Sequence, residues 1–146
     1  MNELKAKFSS QLQVFVYGTL KPGEAYHQQY CANKLVSAQQ AIAYGKLFSL
    51  PAGYPAMTVG DNLVYGYLLE FSDANVLSDL DILEGYHPSR QKNNNLYNQE
   101  QVEIFDLQRK KQAEAWIYLM TRHKVEQLGG KTQDDGWWSG IGITPP

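Results

Sequence analysis

The chain has 146 residues, with 13 lysines and arginines against 15 aspartates and glutamates and a formal net charge of −2. That length suits one unit over residues 1–146, about 1–10 and 121–146 being less regular, and the scattered basic residues, apart from Arg109-Lys110-Lys111 in a solvated hairpin turn, leave no footprint for nucleic acid. The single Cys31 rules out an internal disulfide framework, no apolar run approaches the ~20 residues that span a bilayer, and residues 1–10 lack the apolar stretch of a leader, so a soluble cytoplasmic protein is expected.

In chain order, Gln13 to Tyr17 is rich in β-branched and aromatic residues and bounded by Gly18, which predicts a central, buried first strand. Ala25 to Leu35 predicts a short helix. Val36 to Leu50 reads as a long strand with a bulge or close backbone approach at Gly45, after which Pro51, Gly53 and Pro55 break the ladder. Val64 to Phe71 is the next strand, again with an internal glycine, Gly66. Ser72 or Asp73 caps a helix on which Val76, Leu77, Leu80 and Leu83 form one apolar stripe, and Gly85 ends it. Gln91 to Asn95 reads as a solvated loop. Val102 to Leu107 and Ala113 to Met120 predict paired strands joined through Gln108 to Lys111, the second internal to the sheet. From Thr121 the chain turns polar and Gly-rich around Trp137-Trp138, which suggests a tail packing by its aromatic rings. Strands outnumber helices without strict alternation, so the fold class is α+β: a small, curved, barrel-like mixed or antiparallel sheet flanked by short helices.

Several chemistries lack their residues. Gly129-Gly130-Lys131-Thr132 mimics the end of a phosphate-binding loop, but Val125 stands where that motif needs glycine. Glu84 and His87 have Glu-x-x-His spacing without a second copy, and Pro88 ends the helix. His27, His87 and His123 share no ligand spacing, so neither a metal nor another cofactor is called for. There is no Gly-x-Ser-x-Gly elbow, and Cys31 has no neighbouring base in sequence. What remains is a carboxylate at a helix end, Glu84, and a Gly-containing turn, Tyr17-Gly18-Thr19-Leu20. On pattern alone the turn fits an ordinary strand-to-loop connection and Glu84 an exposed last-turn residue, although a glutamate there opposes the helix dipole. Tyr54, Tyr65, Tyr67, Tyr86, Tyr97 and Tyr118 fit core or rim packing, with Tyr86 and Tyr97 the two to watch near a site. Trp137 and Trp138 fit the capping of a core edge, and Lys21 a solvated loop charge. A site so equipped suits a reaction in which the substrate supplies its own nucleophile.

Four segments carry a resemblance that spans nearly the whole chain: Tyr17-Gly18-Thr19-Leu20 with Lys21-Pro22-Gly23, Leu50-Pro51-Ala52-Gly53-Tyr54-Pro55-Ala56, Val64-Tyr65-Gly66, and Leu80-Asp81-Ile82-Leu83-Glu84-Gly85-Tyr86. In order and approximate spacing they resemble the gamma-glutamylcyclotransferase-like family of small single-domain proteins. The resemblance implies that Glu84 is the general acid/base and that the amides of Gly18, Thr19 and Leu20, with Tyr17, grip the glutamyl part of a small-molecule gamma-glutamyl substrate. In such an amide the free α-amine reaches its own γ-carbonyl, closing a five-membered lactam, 5-oxoproline, and expelling the attached amine. One carboxylate suffices for both proton transfers. Where the family commonly reads Tyr-x-Arg-x-x-Val, this chain has Tyr97-Asn98-Gln99-Glu100-Gln101-Val102, so Gln99 replaces an arginine and a charge-assisted contact is lost. The rival class is a non-catalytic module that keeps the same cavity to bind a small acid or a partner. A nucleic-acid binder is the third option, and the charge does not support it.

Overall fold

A computed structural model of the chain describes residues 12–145; the expected irregular amino-terminal segment lies outside the described residues. Six strands form one sheet: β1 (Leu12–Val16), β2 (Leu35–Ser49), β3 (Pro55–Phe71), β4 (Asn98–Phe105), β5 (Lys111–Leu119) and β6 (Lys131–Thr132). Three short helices join them: α1 (His27–Tyr30), α2 (Val76–Leu83) and α3 (Arg122–Gln127). The strand order is β3-β1-β5-β4-β2-β6, and β2 also pairs with β3, so the pairing returns to the strand it started from. Every ladder is antiparallel except β1 with β5. This is the expected α+β class, with a curved, mixed sheet and few helical turns.

The central position of β1 explains its composition. Val14 and Val16 pack into one core cluster with Leu69, Phe71 and Leu80, whereas Phe15 and Tyr17 pack into a second with Val64, Leu68 and Ile117. A strand covered on both faces loses the apolar–polar alternation of a half-exposed one. Each such side chain withdrawn from water contributes about 1.5–3 kcal/mol. Gly66 on β3 answers to the same crowding, because a Cβ there would overlap the Val16 carbonyl.

β3 is longer than its sequence suggested. Pro55 does not break the ladder but begins it, pairing with Ser49, and only Leu50 to Tyr54 form the turn. Proline is tolerated at the first residue of a strand because no ladder bond is asked of its nitrogen. Opposite the expected irregularity at Gly45 the register jumps from Asn62 to Thr58, which throws Val59 to Asp61 out of the ladder and into solvent. α1 is a single turn, followed by a 3-10 turn at Ala32–Lys34, rather than a helix over 25–35. β4 begins at Asn98, ahead of the expected Val102.

The segment after Thr121 carries α3 and β6, which the sequence reading lacked; Thr121 caps α3 by accepting from the Lys124 N–H at 3.1 Å. Gln91 to Asn95 is also more than a solvated loop, since Asn95 is buried, exchanges hydrogen bonds with the His87 backbone and donates to Asn98 Oδ1. Cys31 is 1% exposed, and burial pushes its thiol up to about 12. Among the described residues no helix is long and apolar enough to cross a membrane.

Candidate active site

β1 delivers the chain to Tyr17, and the next three residues turn over the end of the sheet. Their carbonyls are all engaged by the loop that follows. The Lys21 N–H donates to Gly18 at 3.1 Å, the Tyr26 N–H to Thr19 at 2.9 Å, and the His27 Nδ1–H to Leu20 at 2.8 Å. The N–H groups of Gly18, Thr19 and Leu20 have no acceptor among the described residues. Three successive amides are thus left open beside a cavity that the turn lines. Position 18 must be glycine for a packing reason: a Cβ would stand 2.6 Å from Cγ of Pro55, whose ring covers the turn.

α2 brings the carboxylate. Gly85, at φ 64°, takes the left-handed conformation after the helix; its N–H donates to Ile82 at 3.2 Å and the Tyr86 N–H to Asp81 at 2.9 Å, a Schellman stop that leaves Glu84 as the C-cap. Two further bonds fix this end to the approach of β4: the Tyr97 N–H donates to the Glu84 carbonyl at 3.2 Å and the Leu96 N–H to Gly85 at 3.1 Å. The Glu84 side chain is half-buried, not directed into bulk water, and among the described residues nothing hydrogen-bonds to its carboxyl. Burial therefore raises its pKa from 4.5 to about 7.

These two constructions share one cavity of about 380 Å³, bounded by Tyr17 to Leu20, the Ala52–Pro55 turn, Glu84, Tyr97 and Tyr118. Three of its tyrosine hydroxyls donate elsewhere: Tyr17 to the Tyr118 carbonyl at 2.6 Å, Tyr97 to the Pro55 carbonyl at 2.5 Å, Tyr118 to Asp81 at 2.6 Å. Each phenol oxygen keeps lone pairs with which to accept a hydrogen bond. Burial holds all three phenols well above their ordinary pKa, with the Glu84 charge adding to the shift of each. Asp81, one turn before Glu84, accepts from Tyr118 and also from Gln99 Nε2 at 2.5 Å. Thus Gln99 ties α2 to β4 without facing the cavity.

Of the residues expected at a site, Tyr17, Gly18, Thr19, Leu20, Glu84 and Tyr97 line this cavity and Tyr86 does not. The Tyr86 ring packs against the core cluster on the α2 side. Tyr118, Tyr54 and Pro55 are wall residues of the cavity, whereas from sequence the two tyrosines fitted core or rim packing and the proline a break in the ladder. A signal did exist for Tyr54 and Pro55, which lie in the Leu50–Ala56 segment. Lys21 corrects an expectation outright: it is 1% exposed rather than solvated. Trp137 and Trp138 are 6% and 7% exposed, Trp138 belongs to the second core cluster, and both rings stand over Lys21.

The chain matches the family described as gamma-glutamyl cyclotransferase, AIG2-like, over residues 14–140, a span that contains both the open turn and Glu84. It belongs to that family. One relative of this AIG2-like chain is the gamma-L-glutamyl-butirosin B gamma-glutamyl cyclotransferase of Niallia circulans, 38% identical over 73 residues. That match covers 50% of this chain and 46% of the relative, so the chain spans about half the length of the curated relative it matches. Among solved structures, YkqA from Bacillus subtilis has a TM-score of 0.59 at 24% identity, over 87% of this chain and 39% of that one. An AIG2-like protein from Mus musculus gives 0.58 at 19% identity, over 77% of this chain and 78% of that one. At these identities the two structures speak for the fold.

Proposed function

We propose that this chain is a gamma-glutamyl cyclotransferase that converts a gamma-glutamyl amide into 5-oxoproline and the free amine. The observation that carries this is the meeting, in one cavity, of a carboxyl lifted to about 7 and three amides without partners among the described residues. Family membership and a relative whose name gives a gamma-glutamyl cyclotransferase acting on gamma-L-glutamyl-butirosin B point the same way.

In this reading the substrate's α-carboxylate, or the oxyanion that develops on its γ-carbonyl, accepts from the N–H groups of Gly18, Thr19 and Leu20. The phenol oxygens of Tyr17 and Tyr97 accept from the α-ammonium. Glu84 takes one proton from that ammonium, and the freed amine attacks the γ-carbonyl, forming the ring C–N bond as the carbonyl π pair moves onto oxygen. Collapse breaks the bond to the departing nitrogen, which leaves with the proton that Glu84 returns; the second proton of the ring nitrogen follows through the same carboxylate and ends on the released amine. No protein nucleophile is needed, because the attack is intramolecular and effective molarities reach on the order of 10⁵ M or more in a well-held geometry.

The test is 5-oxoproline release from a panel of gamma-glutamyl amides, amines and amino acids by the purified chain and by Glu84→Gln. Turnover that falls by about 10³-fold or more in the variant is expected. Release no faster than the variant's across the whole panel would reject the proposal.

A further inference from the structure

Just behind the open turn lies a buried ion pair that the proposed chemistry does not use. Lys21 and Glu24 are 1% and 5% exposed, their charged groups are 3.7 Å apart, and neither lines the cavity. A buried ion pair is weak evidence for stability, since apolar residues of the same volume often serve as well, so its placement calls for another reason.

Its bonds supply one. Lys21 Nζ donates to the Trp138 carbonyl and sits 4.0 Å from the centre of the Trp137 ring and 5.5 Å from that of Trp138. Glu24 accepts from the Ser139 hydroxyl at 2.6 Å and the Gly140 N–H at 3.0 Å. Ser139 Oγ in turn accepts from the Ile143 N–H at 2.9 Å, and the Trp137 Nε1–H donates to the Ile143 carbonyl at 2.8 Å. The strap so formed is itself fixed to the sheet, where the Tyr65 N–H donates to the Gly136 carbonyl at 2.8 Å and the Gln133 N–H to that of Leu47 at 2.8 Å. Apart from their bond to each other, the charged atoms of the pair are committed to residues 137–140. Through the backbone, the pair continues into the turn: the Glu24 N–H donates to Lys21 at 2.9 Å and the Lys21 N–H to Gly18 at 3.1 Å.

We infer that Lys21 is a positioning residue: with Glu24 it latches the Gly18–Leu20 turn onto the Trp137–Ile143 strap, so that the far end of the chain sets the direction of the substrate-gripping amides. This rests on the proposed role of those amides. Loss of the latch loosens the grip on the glutamyl group and leaves the proton relay at Glu84 intact.

The experiment compares the full chain with Lys21→Met and, as a milder variant that keeps both charges, Ser139→Ala. ¹⁵N relaxation of Gly18, Thr19 and Leu20 is measured beside KM and kcat on a gamma-glutamyl amide. In the folded variants the amide order parameters are expected to fall from rigid-backbone values near ~0.85 toward ~0.6 or below. KM is expected to rise about tenfold or more in Lys21→Met while kcat changes by less than about threefold and keeps its pH profile. A folded Lys21→Met with unchanged order parameters overturns the inference whatever its KM, as does equal loss of kcat and kcat/KM. If Lys21→Met does not fold, Ser139→Ala decides by the same two readouts. If the unaltered chain turns over no gamma-glutamyl compound, the function proposal fails, and the order parameters alone decide the latch.

Discussion

At Glu84, stability and chemistry pull in opposite directions. Its carboxyl is raised from 4.5 to about 7, so between those values the native chain holds a proton that the unfolded chain has released. Stability from this group is therefore greatest at acid pH and falls as pH climbs toward and through 7, by about 3 kcal/mol in all. Glu84→Gln removes the cost. Denaturant unfolding is expected to find the variant about as stable as the parent at pH 4 and more stable by about 3 kcal/mol at pH 8. The same value sets the rate profile. A carboxylate must be present to relieve the substrate ammonium, so kcat/KM is expected to rise about tenfold per pH unit below 7 and level off above it. A profile flat from pH 5 to 8 would remove Glu84 from the role. The turn Tyr17–Leu20 and Glu84 were legible as a candidate pair because each is carried by a contiguous run of sequence. The burial of Lys21 was not, because residues 137–140 decide it.

The elements that present these groups hold them by a few side-chain bonds. The carboxyl end of α2 could be placed from sequence to within a residue, since its stripe and its glycine stop act locally. The expected caps Ser72 and Asp73 are corrected, because the helix begins at Val76 with Asn75 as its N-cap and Asp73 Oδ1 instead accepts from the Asn75 N–H at 2.9 Å. The attachment of α2 could not be placed either, because Tyr118 and Gln99 reach Asp81 from strands that follow much later. Tyr118→Phe removes one of the two hydrogen bonds to that carboxylate, and urea titration is expected to show a loss of about 1.5–3 kcal/mol. At the other wall, Gly18→Ala sets a methyl 2.6 Å from the Pro55 ring. The turn or the proline must move, and a destabilisation of about 1–3 kcal/mol with a raised KM is expected. The β2–β3 hairpin misled the sequence reading for a related reason. Pro51, Gly53 and Pro55 all signal a turn, but the partner strand decides where the ladder resumes, and Ser49 is there to meet Pro55.

Across the whole molecule, closure of the pairing circuit asks Val14 to meet Trp116 and β2 to run the length of β3. Gly66 lies against the Val16 carbonyl, which an added Cβ would overlap, so Gly66→Ala is expected to cost about 3 kcal/mol or more, read as a lowered melting temperature. The curved α+β class followed from the excess of strands and the internal glycines at Gly45 and Gly66. The order of strands did not follow, since it depends on pairings between residues far apart in sequence. One detail of this packing has a practical use. Cys31, the chain's sole cysteine, is sealed and its thiol stays protonated at neutral pH, so thiol reagents should leave the native protein unmodified and react once it is denatured. Val59, 78% exposed on the excursion from β3, then becomes a place to introduce a lone addressable sulfur, and a fluorophore attached there would report on the molecule without background from the native thiol.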